Sequence, residues 1–232
     1  MAEFWAAVLD GYEVEPSGDA YFARGDGTSL FFHERQKSPT IELPIHLDVN
    51  VPDWRAELER LLALGATLVE TKTQEVGQFS ETWTVMRDPE GNGFCIQSPP
   101  QTNARLVGNV TFSCAEPKQL GSFWAGALGW PAEPVDPAFI QQMLDAAMDE
   151  RETGSLYALR ETPTSRPRFL FQRREKSRPA SYPIHLDFLT DDREAELVRL
   201  QELGATVEET KSSGDTTWTV MRDPESNPFC VE

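Results

Sequence analysis

Apolar and polar residues alternate with a period of two through a pair of near-identical segments, Pro44-Ile-His-Leu-Asp48 and Pro183-Ile-His-Leu-Asp187. In an extended chain this puts Ile45, Leu47 and Val49 on one face and His46 and Asp48 on the other. Ile184, Leu186 and Phe188 oppose His185 and Asp187 in the same way. Each strand precedes a stretch of helical spacing. Leu58, Leu61, Leu62 and Leu64 fit one face of a helix over 54–64, and a matching helix spans 192–203. Such a helix is the natural cover for the apolar strand face, which leaves the His/Asp face turned away from the helices.

The likeness extends further. Trp83-Thr-Val-Met-Arg-Asp-Pro-Glu-Gly-Asn-Gly-Phe-Cys95 returns as Trp218-Thr-Val-Met-Arg-Asp-Pro-Glu-Ser-Asn-Pro-Phe-Cys230, and Leu64-Gly-Ala-Thr67 returns as Leu203-Gly-Ala-Thr206. Phe4-Trp5 is echoed by Phe123-Trp124. The chain is one domain written twice, over 1–98 and 106–232, joined by a polar, Pro-containing stretch near 98–104. Within each copy the pattern restarts, as strand, helix and two or three strands.

In the second copy these are a strand over 106–114, a helix over 117–128 and strands over 156–160 and 168–173. Then follow a strand over 184–189, the helix over 192–203 and strands over 206–210, 217–222 and 228–231. The first copy begins inside its first helix, 2–9, and lacks the opening strand. Its further strands are expected over 12–14, 20–23, 29–34 and 45–49. The second copy also carries about twenty extra residues. Asp136, Pro137 and the stripe Phe139, Ile140, Met143, Leu144, Ala147, Met148 predict an added amphipathic helix near 137–150. A long insertion of this kind is expected to act as a lid on the second copy's site, the alternative being extra packing alone.

Asp88-Pro89-Glu90-Gly91 has the chemistry of a tight turn joining two strands. Phe94 and Cys95 then point to opposite faces, so Cys95 shares a side with His46, and Cys230 with His185. Cys114 falls on the apolar face of 106–114 and reads as an inert core thiol. Arg87-Asp88 and Arg222-Asp223 read as turn-stabilising pairs.

Composition narrows the classes. Of 232 residues, 38 are acidic and 21 basic, a net charge of −17 that repels phosphate backbones and argues against nucleic acid. No apolar run reaches the ~20 residues of a membrane span, and three cysteines make no disulfide framework. A cytoplasmic protein, monomeric or homodimeric, is expected.

The Ile-His-Leu-Asp strand with its Leu-Gly-Ala-Thr helix end, the Asp-Pro-Glu-Gly-Asn hairpin and the Phe-Trp helix leading to Leu128-Gly-Trp130 together resemble the vicinal oxygen chelate superfamily. That superfamily includes glyoxalase I, bleomycin-resistance proteins and extradiol dioxygenases. The resemblance covers nearly the whole chain. It implies an α+β fold of tandem glyoxalase-like domains built from paired βαβββ units, with helices outside cup-shaped mixed sheets and the first unit truncated.

The resemblance also implies where a metal would sit: one ligand on each of four strands. The third position falls on His46 and His185, and the fourth, a Glu in metal-dependent members, on Cys95 and Cys230. The first falls near Asn109, and the second near His33 and Gln172. His185, Asp187, Gln172 and Cys230, with Asn109, are thus expected around one cavity. His33, His46, Asp48 and Cys95 are expected around another. Trp83 and Trp218 are candidate stacking residues.

The carboxylate that glyoxalase I chemistry needs and the two-His-one-carboxylate set of an iron dioxygenase are both missing from these positions. The leading expectation is a protein of bleomycin-resistance type that binds a small organic molecule without an essential metal or other cofactor. The alternatives are a lyase or isomerase that uses a divalent metal such as zinc on His33, His46 and Cys95, or His46 or His185 as general base, and a scaffold whose cups are filled by its own side chains. No catalytic residue is assigned.

Overall fold

The computed structural model describes residues 1–25, 28–34, 44–77, 79–100, 102–134, 136–145, 154–174 and 184–232. The first unit contributes helix α1 (Ala2–Val8) and strands β1 (Glu13–Ser17), β2 (Ala20–Gly25) and β3 (Thr28–Phe32). The second contributes β4 (Ile45–Asn50), α2 (Trp54–Ala63), β5 (Thr67–Val76), β6 (Phe79–Arg87) and β7 (Gly93–Gln97). In the third, β8 (Leu106–Cys114) and α3 (Pro117–Leu128) precede the inserted α4 (Pro137–Asp145), β9 (Leu156–Leu159) and β10 (Arg168–Arg173). The fourth consists of β11 (Leu186–Phe188), α5 (Arg193–Glu202), β12 (Thr206–Ser213), β13 (Thr216–Arg222) and β14 (Pro228–Val231).

Local chemistry sets the boundaries. Asp53 caps α2 by accepting from the amides of Arg55 and Ala56 at 2.9 and 3.4 Å, and Asp192 caps α5 through the Ala195 amide at 3.1 Å. At the Asp-Pro-Glu turn, Asp88 accepts from the Glu90 and Asn92 amides, both at 2.9 Å. Asp223 repeats this with Glu225 and Asn227. The turn needs a left-handed residue, which is Gly91 in the first copy (φ 91°) and Ser226 in the second (φ 67°). Arg87 and Arg222 donate to the carbonyls of Gly91 and Ser226 across the same turns, as their sequence position suggests.

The strands form three sheets, ordered β1-β2-β3, β5-β6-β7-β4-β8-β10-β9 and β11-β14-β13-β12. The central sheet crosses from one sequence copy to the other. Its seam is the antiparallel pair β4–β8, with Ile45 opposite Phe112, His46 opposite Thr111 and Asp48 opposite Asn109. The units that share a sheet are therefore the second and third.

One hydrophobic core runs through both copies. Trp5 meets Phe94 edge-on at 5.2 Å, and Trp124 meets Phe229 in the same way at 5.2 Å. Trp124 also packs on Phe112 and Phe169 of the central sheet. Arg60 donates to the Ala7 carbonyl and Arg199 to that of Gly126, each at 2.9 Å, which locks α2 to α1 and α5 to α3. These aromatic helices supply more of the cover than the Leu-rich ones. Leu61 and Leu200 are fully buried, whereas Leu62 and Leu64 are 44% and 39% exposed.

The helix expected near 137–150 is described over Pro137–Asp145, and 146–150 lies outside the described residues. It also packs by β5 of the central sheet, with Gln142 against Gly77, and not over the sheet that carries His185. The opening strand of the fourth unit is shorter than expected, 186–188 in place of 184–189.

Candidate functional sites on two strand seams

On the central sheet, Ile45, Leu47, Phe94, Ile96, Val110, Phe112, Phe169 and Phe171 belong to the helix-covered core. By alternation and register, the opposite face presents His46 and Asp48 from β4, Cys95 and Gln97 from β7, Trp83 from β6, Asn109 and Thr111 from β8, and Arg168 and Gln172 from β10. All six residues of β4 are buried, so the polar side is not an open, water-washed surface as alternation alone suggests.

Asp48 is the hub of this face. His46 Nε2 lies 3.3 Å from its Oδ1, while Asn109 Nδ2 and Thr111 Oγ1 donate to its Oδ2 at 2.9 and 2.6 Å. Burial pushes the Asp48 carboxyl up. The hydrogen bonds from His46, Thr111 and Asn109 and the charge of His46 outweigh burial and hold it below the ordinary carboxylate value. Cys95 stands opposite Asp48 on β7, and its thiol is driven far up by burial and by the Asp48 charge. Without a bound cation this environment favours the protonated thiol. Deeper in the seam, Gln97 Nε2 donates to Asn50 Oδ1 at 2.9 Å.

The second copy repeats the trio in a different setting. His185 Nε2 lies 3.2 Å from Asp187 Oδ1, and Cys230 stands opposite Asp187 on β14. In the first trio the His and Asp side chains are 11% and 9% exposed; here they are 29% and 34% exposed. The hydrogen bond to Asp187, then that to Cys230, raises the His185 imidazole from 6.5 to about 10 against a burial that pulls it down. By register, Trp218 on β13 shares the face of Cys230 and is half-buried, as Trp83 is beside Cys95.

Three expected placements are corrected. Asn109 and Gln172 lie in the central sheet with His46, not with His185, because the sheet is completed across the copies through β4–β8. His33 is exposed just beyond β3 in a separate sheet. Its Nδ1 sits 3.3 Å from the Glu34 carbonyl oxygen and its ring 5.9 Å from that of Phe31. The trio His33, His46, Cys95 is therefore not assembled; Asp48 takes the place of His33. Cys114 is fully buried in the core, with Sγ 3.5 Å from the Gln172 carbonyl oxygen.

Thr111 lies on the polar face, where the alternation that marks Asn109 puts it. Arg168 and Gly108 are not singled out by the sequence. Arg168 stands opposite Asn109 on β10 and shares Glu133 with Arg160, at 3.4 and 3.3 Å. Gly108 lies at the register shift of the seam, where a Cβ would overlap the Asn50 carboxamide. Strand alternation places Arg168 in principle; Gly108 depends on knowing which strand lies beside β8.

The donor atoms of His46, Asp48 and Cys95 lie within 4.8 Å of one another, and so do those of His185, Asp187 and Cys230. Nitrogen, carboxylate oxygen and sulfur are the ligands zinc takes. Two ligands ~2.0–2.1 Å from a tetrahedral ion stand about 3.3 Å apart. The His–Asp separations of 3.3 and 3.2 Å therefore suit either a direct hydrogen bond or an ion between the two groups.

The model of the glyoxalase-like domain family matches residues 1–97 and 109–232. Among solved structures, a point mutant of glyoxalase I from Zea mays superposes with a TM-score of 0.67 at 13% identity, covering 99% of this chain and 85% of that one. The unmutated Zea mays glyoxalase I gives 0.60 at 13% identity, covering 99% and 85%. No curated protein sequence matches the chain. Duplicated units, helix-backed mixed sheets and a family match over almost every residue place this chain in the glyoxalase-like family of the vicinal oxygen chelate superfamily.

Proposed function

We propose that this protein binds a small organic molecule on the polar face of the central sheet, around His46, Asp48, Trp83 and Arg168, without requiring a metal. One observation carries the reading. The face opposite the aromatic core carries buried polar networks around Asp48 and Asn50, and Arg168 Nε and Ser113 Oγ on the same face are buried without a hydrogen-bond partner. Asp48 has its charge compensated by His46, Asn109 and Thr111 before any ligand arrives. Such a network orients hydrogen-bonding groups at low reorganisation cost, while Trp83 offers an aromatic face and Arg168 a cation.

The test is a screen of a metabolite library by native mass spectrometry on chelator-treated full-length protein. The expected result is a small-molecule adduct whose affinity falls at least tenfold in Trp83→Ala and Arg168→Ala. Unchanged affinity in both variants rejects the assignment of this face.

A second reading, a divalent-metal enzyme of lyase or isomerase type, is favoured by the two His/Asp/Cys trios. His46, Asp48 and Cys95, or His185, Asp187 and Cys230, would hold the ion, and Asn109 and Thr111 would orient the Asp48 ligand from behind. A bound ion supplies polarisation of a substrate carbonyl. About one equivalent of zinc per chain after purification without added metal, together with loss of ligand binding on chelation, selects this reading over the first.

A further inference from the structure

Arginines gather at one rim of the central sheet's polar face. Arg168 faces that side from the start of β10, opposite Asn109 on β8. The β9–β10 ladder pairs Leu159 with Phe169 and, continued by one residue, sets Arg160 beside Arg168. Glu133 bridges the two, with Oε1 3.3 Å from Arg160 Nη2 and Oε2 3.4 Å from Arg168 Nε. Arg166, two residues before Arg168, has no carboxylate in contact among the described residues. It donates to the Thr164 and Ser165 carbonyls of its own loop at 3.4 and 3.0 Å. Three guanidinium groups thus share one contacting carboxylate, in a chain where 38 acidic residues outnumber 21 basic ones.

The cluster is costly as it stands. The Arg160 and Arg168 side chains are 12% and 28% exposed, and the Nε of each is buried without a hydrogen-bond partner. A buried charged donor left unpaired carries its full desolvation penalty. Burial, then repulsion from Arg160 and Arg168, pulls the Arg166 guanidinium below its ordinary value, against the charge of Glu133. Burial and repulsion from Arg160 pull Arg168 down as well, while Glu133, Glu81 and Asp48 oppose them. Asp48 is already committed to His46, Asn109 and Thr111. The core does not call for these cations either, since Phe169 and Phe171 on the opposite face of β10 supply its contacts.

We propose that Arg160, Arg166 and Arg168 form the subsite for the acidic group of a small organic anion, a carboxylate or a phosphate monoester. This names the ligand class for the polar face and rests on that face being a ligand site. Guanidinium forks match the paired oxygens of either group bidentately. Glu133 holds Arg160 and Arg168 apart from solvent in the empty site and competes with the ligand for them. The incoming oxyanion supplies the acceptor that the Arg160 and Arg168 Nε–H groups lack and offsets the repulsion among the three cations. The body of the ligand then lies along the same face, toward Asp48 and Trp83. A neutral molecule of the same shape leaves the cluster uncompensated, so the arginines select for charge.

Phenyl phosphate and benzoate are the probes, with benzyl alcohol as the neutral control, each titrated at low salt into the chelator-treated full chain. The arginine Nε–H signals are followed by proton–nitrogen NMR and assigned by the signal lost in each Arg→Gln variant. The expected result is saturable shifts of the Arg160, Arg166 and Arg168 signals with at least one anion, the tighter of the two identifying the acidic group. Arg166→Gln and Arg168→Gln should each weaken binding at least tenfold. Arg166 is exposed, so its replacement keeps the test open if Arg168→Gln fails to fold. Glu133→Gln, which removes the competing carboxylate, should tighten binding at least threefold. The proposal is overturned by absence of saturable shifts at about 20 mM of either anion. Equal binding of benzyl alcohol, unchanged affinity in Arg166→Gln, or unchanged or weaker binding in Glu133→Gln overturns it as well. Anion binding at the arginines that is insensitive to Trp83→Ala upholds the subsite and rejects the wider face as its setting. A library ligand that needs Trp83 but neither Arg166 nor Arg168 upholds the face and overturns the subsite.

Discussion

Thr111 donates its hydroxyl to the Asp48 carboxylate at 2.6 Å, and this short bond ties the second half of the chain to the first. Both partners are buried, with Thr111 fully so. Thr111→Val keeps the shape of the side chain and leaves a charged acceptor short of one donor, at a cost of about 1–3 kcal/mol. Urea denaturation of the variant reads this directly. A change below about 0.5 kcal/mol shows that water replaces the hydroxyl and that the seam is wetter than its burial implies. The double change Asn109→Leu with Thr111→Val should cost more than either alone, because only His46 then compensates Asp48.

The two turn aspartates look interchangeable in sequence and are not so in the fold. Asp88 and Asp223 each bind two backbone amides and the side chain of the following Asn. Asp223 Oδ2 also lies 3.3 Å from the indole Nε1 of Trp124. Asp223→Ala therefore leaves one more buried donor unpaired than Asp88→Ala. It is expected to be the more destabilising by about 1 kcal/mol in parallel thermal or urea melts. Equal losses would mean that the indole contact contributes nothing to stability.

His185 gives the protein a pH dependence of definite sign. Its folded value of about 10 lies above the ordinary 6.5. The stability it contributes is therefore full below about 6.5 and is lost as pH rises through about 10. In chelator-treated protein, the gap in urea midpoint between wild type and His185→Gln should be constant near pH 6, shrink above pH 7 and close near pH 10. A gap that widens with pH would refute the imidazolium–carboxylate pair.

Much of this fold is legible in the sequence because local signals and global pattern agree. The alternation of Ile45-His46-Leu47-Asp48, the capping Asp53 and the Asp-Pro-Glu turn each determine structure within a few residues. The pairs His46–Asp48 and His185–Asp187, with their opposed cysteines, follow from alternation and from the repeat. Partnership between sheets does not. Asn109 and Gln172 lie in the same copy as His185 but face His46, because strand pairing joins opening strands at long range and nothing local marks which opening strand meets which. Family position groups His33 with His46, yet His33 follows a strand of a different sheet. Periodicity marks the insertion as a helix and leaves open its docking on β5, which depends on tertiary packing.

Gly108 offers the most specific test of the seam. It lies where the β4–β8 register shifts, and the Asn50 side chain occupies the space a Cβ would fill. The Asn50 carboxamide in turn accepts from Gln97 at 2.9 Å. Gly108→Ala must displace Asn50 and break that buried hydrogen bond. Overpacking of this kind costs about 1–3 kcal/mol, with the unpaired amide adding to it. Asn50→Ala alone also destabilises, because it leaves a small void and an unpaired Gln97. Combining the two substitutions places a methyl group in the vacated space, so the double variant should be more stable than the sum of the single losses predicts by at least 1 kcal/mol. Strict additivity in that cycle would separate Gly108 from Asn50 and move the reason for the glycine elsewhere in the strand.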